Sequence, residues 1–155
     1  MLVYRIERQL YFKEILSGRG AALSQGNRWN SLHSAMVYTS GSRSLAILEV
    51  LTRVDLFSDL PDDRLLVELE IPDNLFIEKL EIQTLPKNWN NFPPNKATQS
   101  LGDSFIRKAS FPVLQVPSSL VKGEFNFLIN PIFAGVSDIQ IISAEPLDLK
   151  RWRLT

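Results

Sequence analysis

Apolar and polar positions alternate most plainly near the middle of the chain, where Leu65, Val67, Leu69 and Ile71 are interleaved with Leu66, Glu68 and Glu70. A period of two predicts a strand with one wet face, and Pro72 closes it. Shorter apolar runs of strand length lie at Leu2 to Ile6, Ala35 to Thr39, Val113 to Val116, Phe125 to Ile129 and Ile139 to Ser143, with Leu75 to Ile82 a further candidate. The period changes after Ser42. Ile47, Val50, Leu51 and Val54 stand at i, i+3, i+4 and i+7, and Leu48 widens the stripe. That spacing predicts a helix from Arg43 with this face buried and a hydroxyl among Ser40 to Ser42 as its N-cap. Further helical segments are expected over Tyr11 to Leu16 and Ala97 to Ala109. Strand outweighs helix in mixed order, which is the α+β class.

Two segments carry no such period. Ser17 to Ser34 holds Gly18, Gly20 and Gly26 among polar residues and is long for a connection without a function of its own. Leu85 to Asn95, reading LPKNWNNFPPN, is rich in proline and asparagine and is expected to be a mobile turn region.

Composition narrows the classes of function. The 155 residues suit one domain spanning 1–155 with one core. Seventeen Lys plus Arg balance seventeen Asp plus Glu, so no basic nucleic-acid surface is expected. Cysteine is absent and histidine occurs once, at His33. Thiol chemistry, disulfides and zinc sites built on Cys or paired His drop out, and no metal is expected. Arg5, Glu7 and Arg8 interrupt the N-terminal apolar run, and Asn126, Asn130 and Pro131 interrupt the longest charge-free one. Neither a secretory signal nor a membrane span is expected, and the reading is a cytoplasmic protein.

Motifs for phosphate loops and dinucleotide folds are missing, as is GxSxG. The positive signals are polar residues set against apolar neighbours. Arg28 adjoins Trp29 in QGNRWNS, where Gly26 permits close backbone approach and a guanidinium can hold a phosphate or carboxylate; stacking of Arg28 on Trp29 at the surface is the plainer alternative. Tyr38 can offer a ring face to a planar ligand or pack in the core. Glu49 is the one acid in LAILEVL and can project into a cleft, or pair with Arg53 at i+4 on the helix surface. Ser118, Ser119, Asn126 and Asn130 supply hydroxyls and amides that either bind ribose or build turns.

Taken in order, these segments resemble the RES domain, the toxin half of RES–Xre toxin–antitoxin systems, named for an Arg, a Glu and a Ser. The matching fragments are YRI at Tyr4, GAAL at Gly20, GNRWNS at Gly26, VYTS at Val37 and SLAILE at Ser44. TQSLGDSF at Thr98, VLQVPSSLV at Val113 and EFNFLINP at Glu124 follow in the second half. The chain departs from the family pattern at Asn27, where a second glycine is common, and after Asn130–Pro131, where IFAG replaces a stretch that often carries His and Asp.

The resemblance implies an ADP-ribosyltransferase-like fold of diphtheria-toxin type, with a split β-sheet core, flanking helices and NAD+ in the cleft as substrate. It implies that Arg28 binds the pyrophosphate, Tyr38 stacks on nicotinamide, Glu49 stabilises the oxocarbenium-like transition state and Ser118 positions the nicotinamide ribose or amide. Ser119 is the other candidate for the family serine, and Trp29 and Asn126 complete the expected NAD+ contacts. The implied activity is cleavage of the nicotinamide–ribose bond with water or phosphate as acceptor. The alternatives are ADP-ribosyl transfer to a protein and a silent module that only binds its antitoxin. The implied partner is a cognate Xre-like antitoxin, which carries any DNA contact.

Overall fold

In the computed structural model, residues 1–53 and 62–149 are described. Seven strands form one mixed sheet: β1 (Leu2–Arg8), β2 (Val37–Ser40), β3 (Arg64–Glu70), β4 (Ile77–Lys79), β5 (Val113–Pro117), β6 (Phe125–Ile129) and β7 (Gln140–Pro146). Their order across the sheet is β4-β5-β6-β2-β1-β3-β7. Among the described residues, only β4 and β5 run parallel to each other. The helices are a single turn, α1 (Arg19–Ala22), then α2 (Arg43–Leu51) and α3 (Lys96–Lys108), with a 3₁₀ segment over Gln9–Glu14 where the first helix was expected. None of the helices among the described residues is long and apolar enough to cross a membrane.

The sheet is nearly divided at its middle. β1 pairs with β3 along all seven of its residues and β2 pairs with β6 along all four of its own, but β1 and β2 meet only at Tyr4 and Ser40. Where the ladder opens, the Arg5 side chain reaches across and donates from Nη1 to the Tyr38 carbonyl at 2.8 Å. Its Nε and Nη2 are held by the Glu7 carboxylate at 3.1 and 2.7 Å. A guanidinium thus satisfies a backbone acceptor that the missing ladder leaves behind. The split sheet implied by the family resemblance is present as two half-sheets, β4-β5-β6-β2 and β1-β3-β7.

Apolar residues pack in two clusters rather than the one core expected from length. One gathers Val3, Val37, Val67, Leu69, Val113 and Ile129 from both half-sheets. The other joins Trp29 and Met36 to Leu114, Val116 and Leu128 beneath Phe105 and Ile106 of α3. Strand alternation explains the pair, because neighbouring residues such as Leu128 and Ile129 point to opposite faces of one sheet.

Helix α2 packs against both β1 and β2 and so bridges the split. The Ser42 hydroxyl caps it, accepting from the Leu45 amide at 3.1 Å, an interaction that stabilises a helix start by about 1 kcal/mol. The expected buried stripe needs correction. Leu45 and Ala46 are the buried residues, Ile47, Val50 and Leu51 are half-buried, Leu48 is 37% exposed, and Val54 lies outside the described residues. The inward face runs Leu45, Ala46, Glu49, and a carboxylate in that stripe is what hid it from an apolar-period reading.

Candidate functional site

Glu49 follows Leu45 by one helical turn, so the side of α2 that packs on the split also carries this carboxylate toward it. There Asn126 of β6 donates from Nδ2 to Glu49 Oε1 at 2.7 Å, and the Ser40 hydroxyl donates to Asn126 Oδ1 at 2.8 Å. Arg53 Nη2 lies 3.5 Å from Glu49 Oε2. The i+4 pair weighed from sequence is therefore real, and Glu49 has an inward role as well. Its side chain is only 19% exposed against 53% for Arg53. A pocket of about 170 Å³ opens beside it, with Tyr4, Tyr38, Ser40 and Asn126 among its walls.

Arg28 stands on the loop between α1 and β2. Its Nη1 donates to the carbonyls of Trp89 and Asn91, the latter at 3.0 Å. Among the described residues it forms no ion pair. Burial lowers its pKa from the ordinary arginine value, Glu49 raises it and Arg53 lowers it again, and the guanidinium stays charged. Stacking on an exposed Trp29 is corrected: Trp29 is 3% exposed and sits in the core against Trp89, with ring centroids 6.1 Å apart.

Tyr38 sits where the core meets the pocket. It packs against the cluster under α3 while lining the pocket at the split. Its hydroxyl donates to Asn30 Oδ1 at 2.7 Å and accepts from the Trp29 amide at 3.1 Å. Burial drives its pKa well above the ordinary phenol value, against a lowering by the Trp29 amide, so it is neutral near pH 7.

The two serines differ. Ser118 is 6% exposed, and its hydroxyl accepts from the amides of Leu120 and Val121 at 3.1 Å, closing a turn. Ser119 lines the cavities instead. A small cavity of about 20 Å³ brings together Arg28, Tyr38, Glu49, Ser119 and Asn126, with Trp29 at its edge. It lies between the pocket at the split and an outer cleft of about 680 Å³, within the range of small-molecule sites. Arg28, Glu49, Arg53 and Ser119 also border that cleft. Two guanidiniums against one carboxylate leave it positive and suited to an anion.

Residues outside the expected set hold the Arg28 loop. Gln99 Nε2 donates to the Asn27 carbonyl at 2.9 Å. Asp103 accepts from the Ser31 amide and hydroxyl at 3.1 and 2.6 Å. A Cβ on Gly102 would come within 1.6 Å of the Trp29 carbonyl oxygen, so only glycine lets α3 lie directly on this loop. Glycine inside a helical stretch was the available signal. Asn27, the departure from the family pattern, is buried and donates to the carbonyls of Ala21 and Ser24, pinning the loop from within. The segment expected to be a mobile turn supplies Asn90, Phe92, Pro93 and Pro94 to the outer cleft.

Comparison with known proteins identifies the family and the fold. A model of the RES domain matches residues 2–150. The protein Toxin Res of Photorhabdus laumondii is 38% identical over 132 residues, which cover 85% of this chain and 83% of that protein. The Prs ADP-ribosylating toxin of a Sphingobium species is 37% identical over 128 residues, 81% and 78% of the two chains. A chain of the crystal structure of the M. tuberculosis MbcT–MbcA toxin–antitoxin complex shares the fold at a TM-score of 0.74, with 19% identity over 94% of this chain and 83% of that one. With a family model spanning nearly its full length and relatives well above 30% identity, this chain belongs to the RES domain family.

Proposed function

We propose that the chain is the toxin of a toxin–antitoxin system and that it acts by cleaving the nicotinamide–ribose bond of NAD+. The observation that carries this reading is the small cavity on which Arg28, Tyr38, Glu49, Ser119 and Asn126 converge from distant parts of the sequence. The toxin names of relatives 37–38% identical support it.

The chemistry suits residues of these kinds. When the C–N bond breaks, its electron pair leaves with the nicotinamide nitrogen, which was cationic and departs neutral, so no proton donor is required. Positive charge develops on the ribose C1′ and ring oxygen, as in glycoside hydrolysis. Glu49, held by Asn126 and Arg53, stabilises that charge without having to reorganise. Arg28 binds the pyrophosphate, with Arg53 adding positive charge. Ser119, whose hydroxyl is not spent on the turn that Ser118 closes, positions the nicotinamide ribose or amide. The Tyr38 ring flanks the nicotinamide. Water then adds to C1′ and loses a proton to give ADP-ribose, and phosphate as acceptor gives the phosphorylated sugar. A second reading, transfer of ADP-ribose to a protein, is favoured by the name of the Sphingobium relative.

The deciding experiment incubates purified protein with NAD+, with and without phosphate and cell lysate, and weighs the ADP-ribose products. Free ADP-ribose supports hydrolysis, its phosphate ester supports phosphorolysis, and a mass increase on a lysate protein supports transfer. Undiminished NAD+ in every arm overturns the proposal.

An enzyme of this kind, acting on the cytoplasmic NAD+ pool, harms its own host unless it is restrained. The implied partner is an Xre-like antitoxin that covers the cleft, with a C-terminal carboxylate or acidic side chain on Arg28 in the pyrophosphate's place. An antitoxin trimmed at its C-terminus should still bind but leave NAD+ turnover uninhibited; full inhibition by the trimmed form would move the contact elsewhere.

A further inference from the structure

Phe92 is the most exposed large apolar side chain among the described residues, at 89%. It stands on the border of the outer cleft, followed by Pro93 and Pro94. An aromatic ring so fully in water has no packing role in the fold. Its backbone is nonetheless fixed beside the anion site, because Arg28 donates to the carbonyls of Trp89 and of Asn91, the residue just before Phe92.

The order along the site is equally specific. Glu49 and Ser119 border the small inner cavity and the outer cleft, and so does Arg28 between them and the 89–94 segment. Phe92 borders only the outer cleft among these three cavities. Gly26, at φ +80°, borders the same cleft, and a Cβ there would meet nothing within 4 Å, so the cleft is open at Gly26. A dinucleotide with its nicotinamide ribose at Glu49 and its pyrophosphate at Arg28 has one half left over, and that half projects toward the Phe92 segment.

We infer that Phe92 is a specificity-determining residue whose ring stacks on the adenine of the substrate, so that the 89–94 segment reads the adenosine half while Glu49 acts on the other. The inference rests on the NAD+ reading of the site and adds to it the residue that separates a dinucleotide from a mononucleotide. Stacking of a base on an aromatic side chain is sequence-tolerant and needs an exposed face, which Phe92 has.

The test pairs substrates that differ only by the adenylate half. Phe92→Ala should raise KM for NAD+ about fivefold or more, leave kcat unchanged, and leave KM for nicotinamide mononucleotide unchanged. Phe92→Tyr should restore the wild-type KM for NAD+. Equal rises for both substrates would mean that Phe92 supports the loop and does not read adenine, and no rise would remove it from binding; either overturns the inference. Calorimetric titration with ADP and with inorganic pyrophosphate separates this result from a failure of the cleavage reading, since it requires no turnover. Phe92→Ala should weaken ADP binding by the same factor and spare pyrophosphate; ADP binding that is absent or insensitive to the substitution overturns the stacking role, whatever the enzyme does to NAD+.

Discussion

The pocket at the sheet split and the outer cleft share Glu49 and Arg53 but are built in different ways. At the split, the polar groups sit on strands and a helix and hold one another side chain to side chain, from Ser40 to Asn126 to Glu49. In the cleft, Arg28 sits on a loop and is held by backbone carbonyls of a second loop. Groups on regular elements move little and suit the reacting atoms, whereas loops vary readily and suit recognition of the rest of a substrate. Under the NAD+-cleaving function proposed above, bond breaking falls to the inner end and binding to the outer one, a division that substitutions can test.

The largest effect is expected at the inner end. Glu49→Gln keeps the size and the acceptor for Asn126 but removes the charge, and should lower kcat about 100-fold or more with little change in NAD+ affinity. Turnover by the Gln variant at the wild-type rate would remove Glu49 from the chemistry and break the division.

Arg28→Lys comes next. An ammonium cannot reproduce the planar fork, so KM should rise by about tenfold with kcat largely kept. A fall in kcat of the Glu49→Gln size would instead place Arg28 at the reacting end.

Tyr38 joins the two regions, since its ring borders the inner pocket while its hydroxyl holds the loop of Arg28. Tyr38→Phe keeps the ring and leaves Asn30 Oδ1 and the Trp29 amide without this partner, which costs about 1–3 kcal/mol of stability. Thermal unfolding should show that loss, and KM should rise less than in Arg28→Lys. A variant of unchanged stability would show that the hydroxyl does not anchor the loop.

The smallest effect concerns pH. Burial of Asp103 raises its pKa, but the Ser31 hydroxyl and amide, Ser34 and Arg107 outweigh it, and the carboxyl lies below its ordinary value. A lowered carboxylate pKa adds stability that is complete above the unfolded value and is lost as pH falls through the folded one. Melting temperature followed from about pH 6 to about pH 3 should fall less steeply for Asp103→Asn than for wild type. Parallel curves would mean that the Ser31 contact contributes nothing to the clamp on the loop.

The elements that build the two regions differ in how far they can be read from sequence, for physical reasons. The strand over Arg64–Glu70 shows in sequence because alternation is a local property, but the face expected to be wet is partly covered, since Leu66 on it is buried. The buried face of α2 departs from the apolar stripe because Glu49 belongs to it, and an apolar period cannot count a carboxylate. Ser118 and Ser119 are alike as residue types, and only the turn that Ser118 closes leaves Ser119 on the cleft. The segment at 85–95 reads as a turn because proline and asparagine report local backbone preference. That it forms a wall follows from bonds to Arg28, 61 and 63 residues away, which no local preference encodes.

By itself the sequence determined the α+β class, the strand positions, the cap of α2 and the family, because each depends on residue type at short spacing or on the order of fragments. Only the tertiary structure decided that the sheet opens between β1 and β2, that Arg5 closes the gap, that α3 lies against the Arg28 loop at Gly102, and that Phe92 borders the cleft. These are contacts between residues far apart in the chain. Their geometry depends on how whole elements pack, and packing is settled by the shape and burial of many side chains at once.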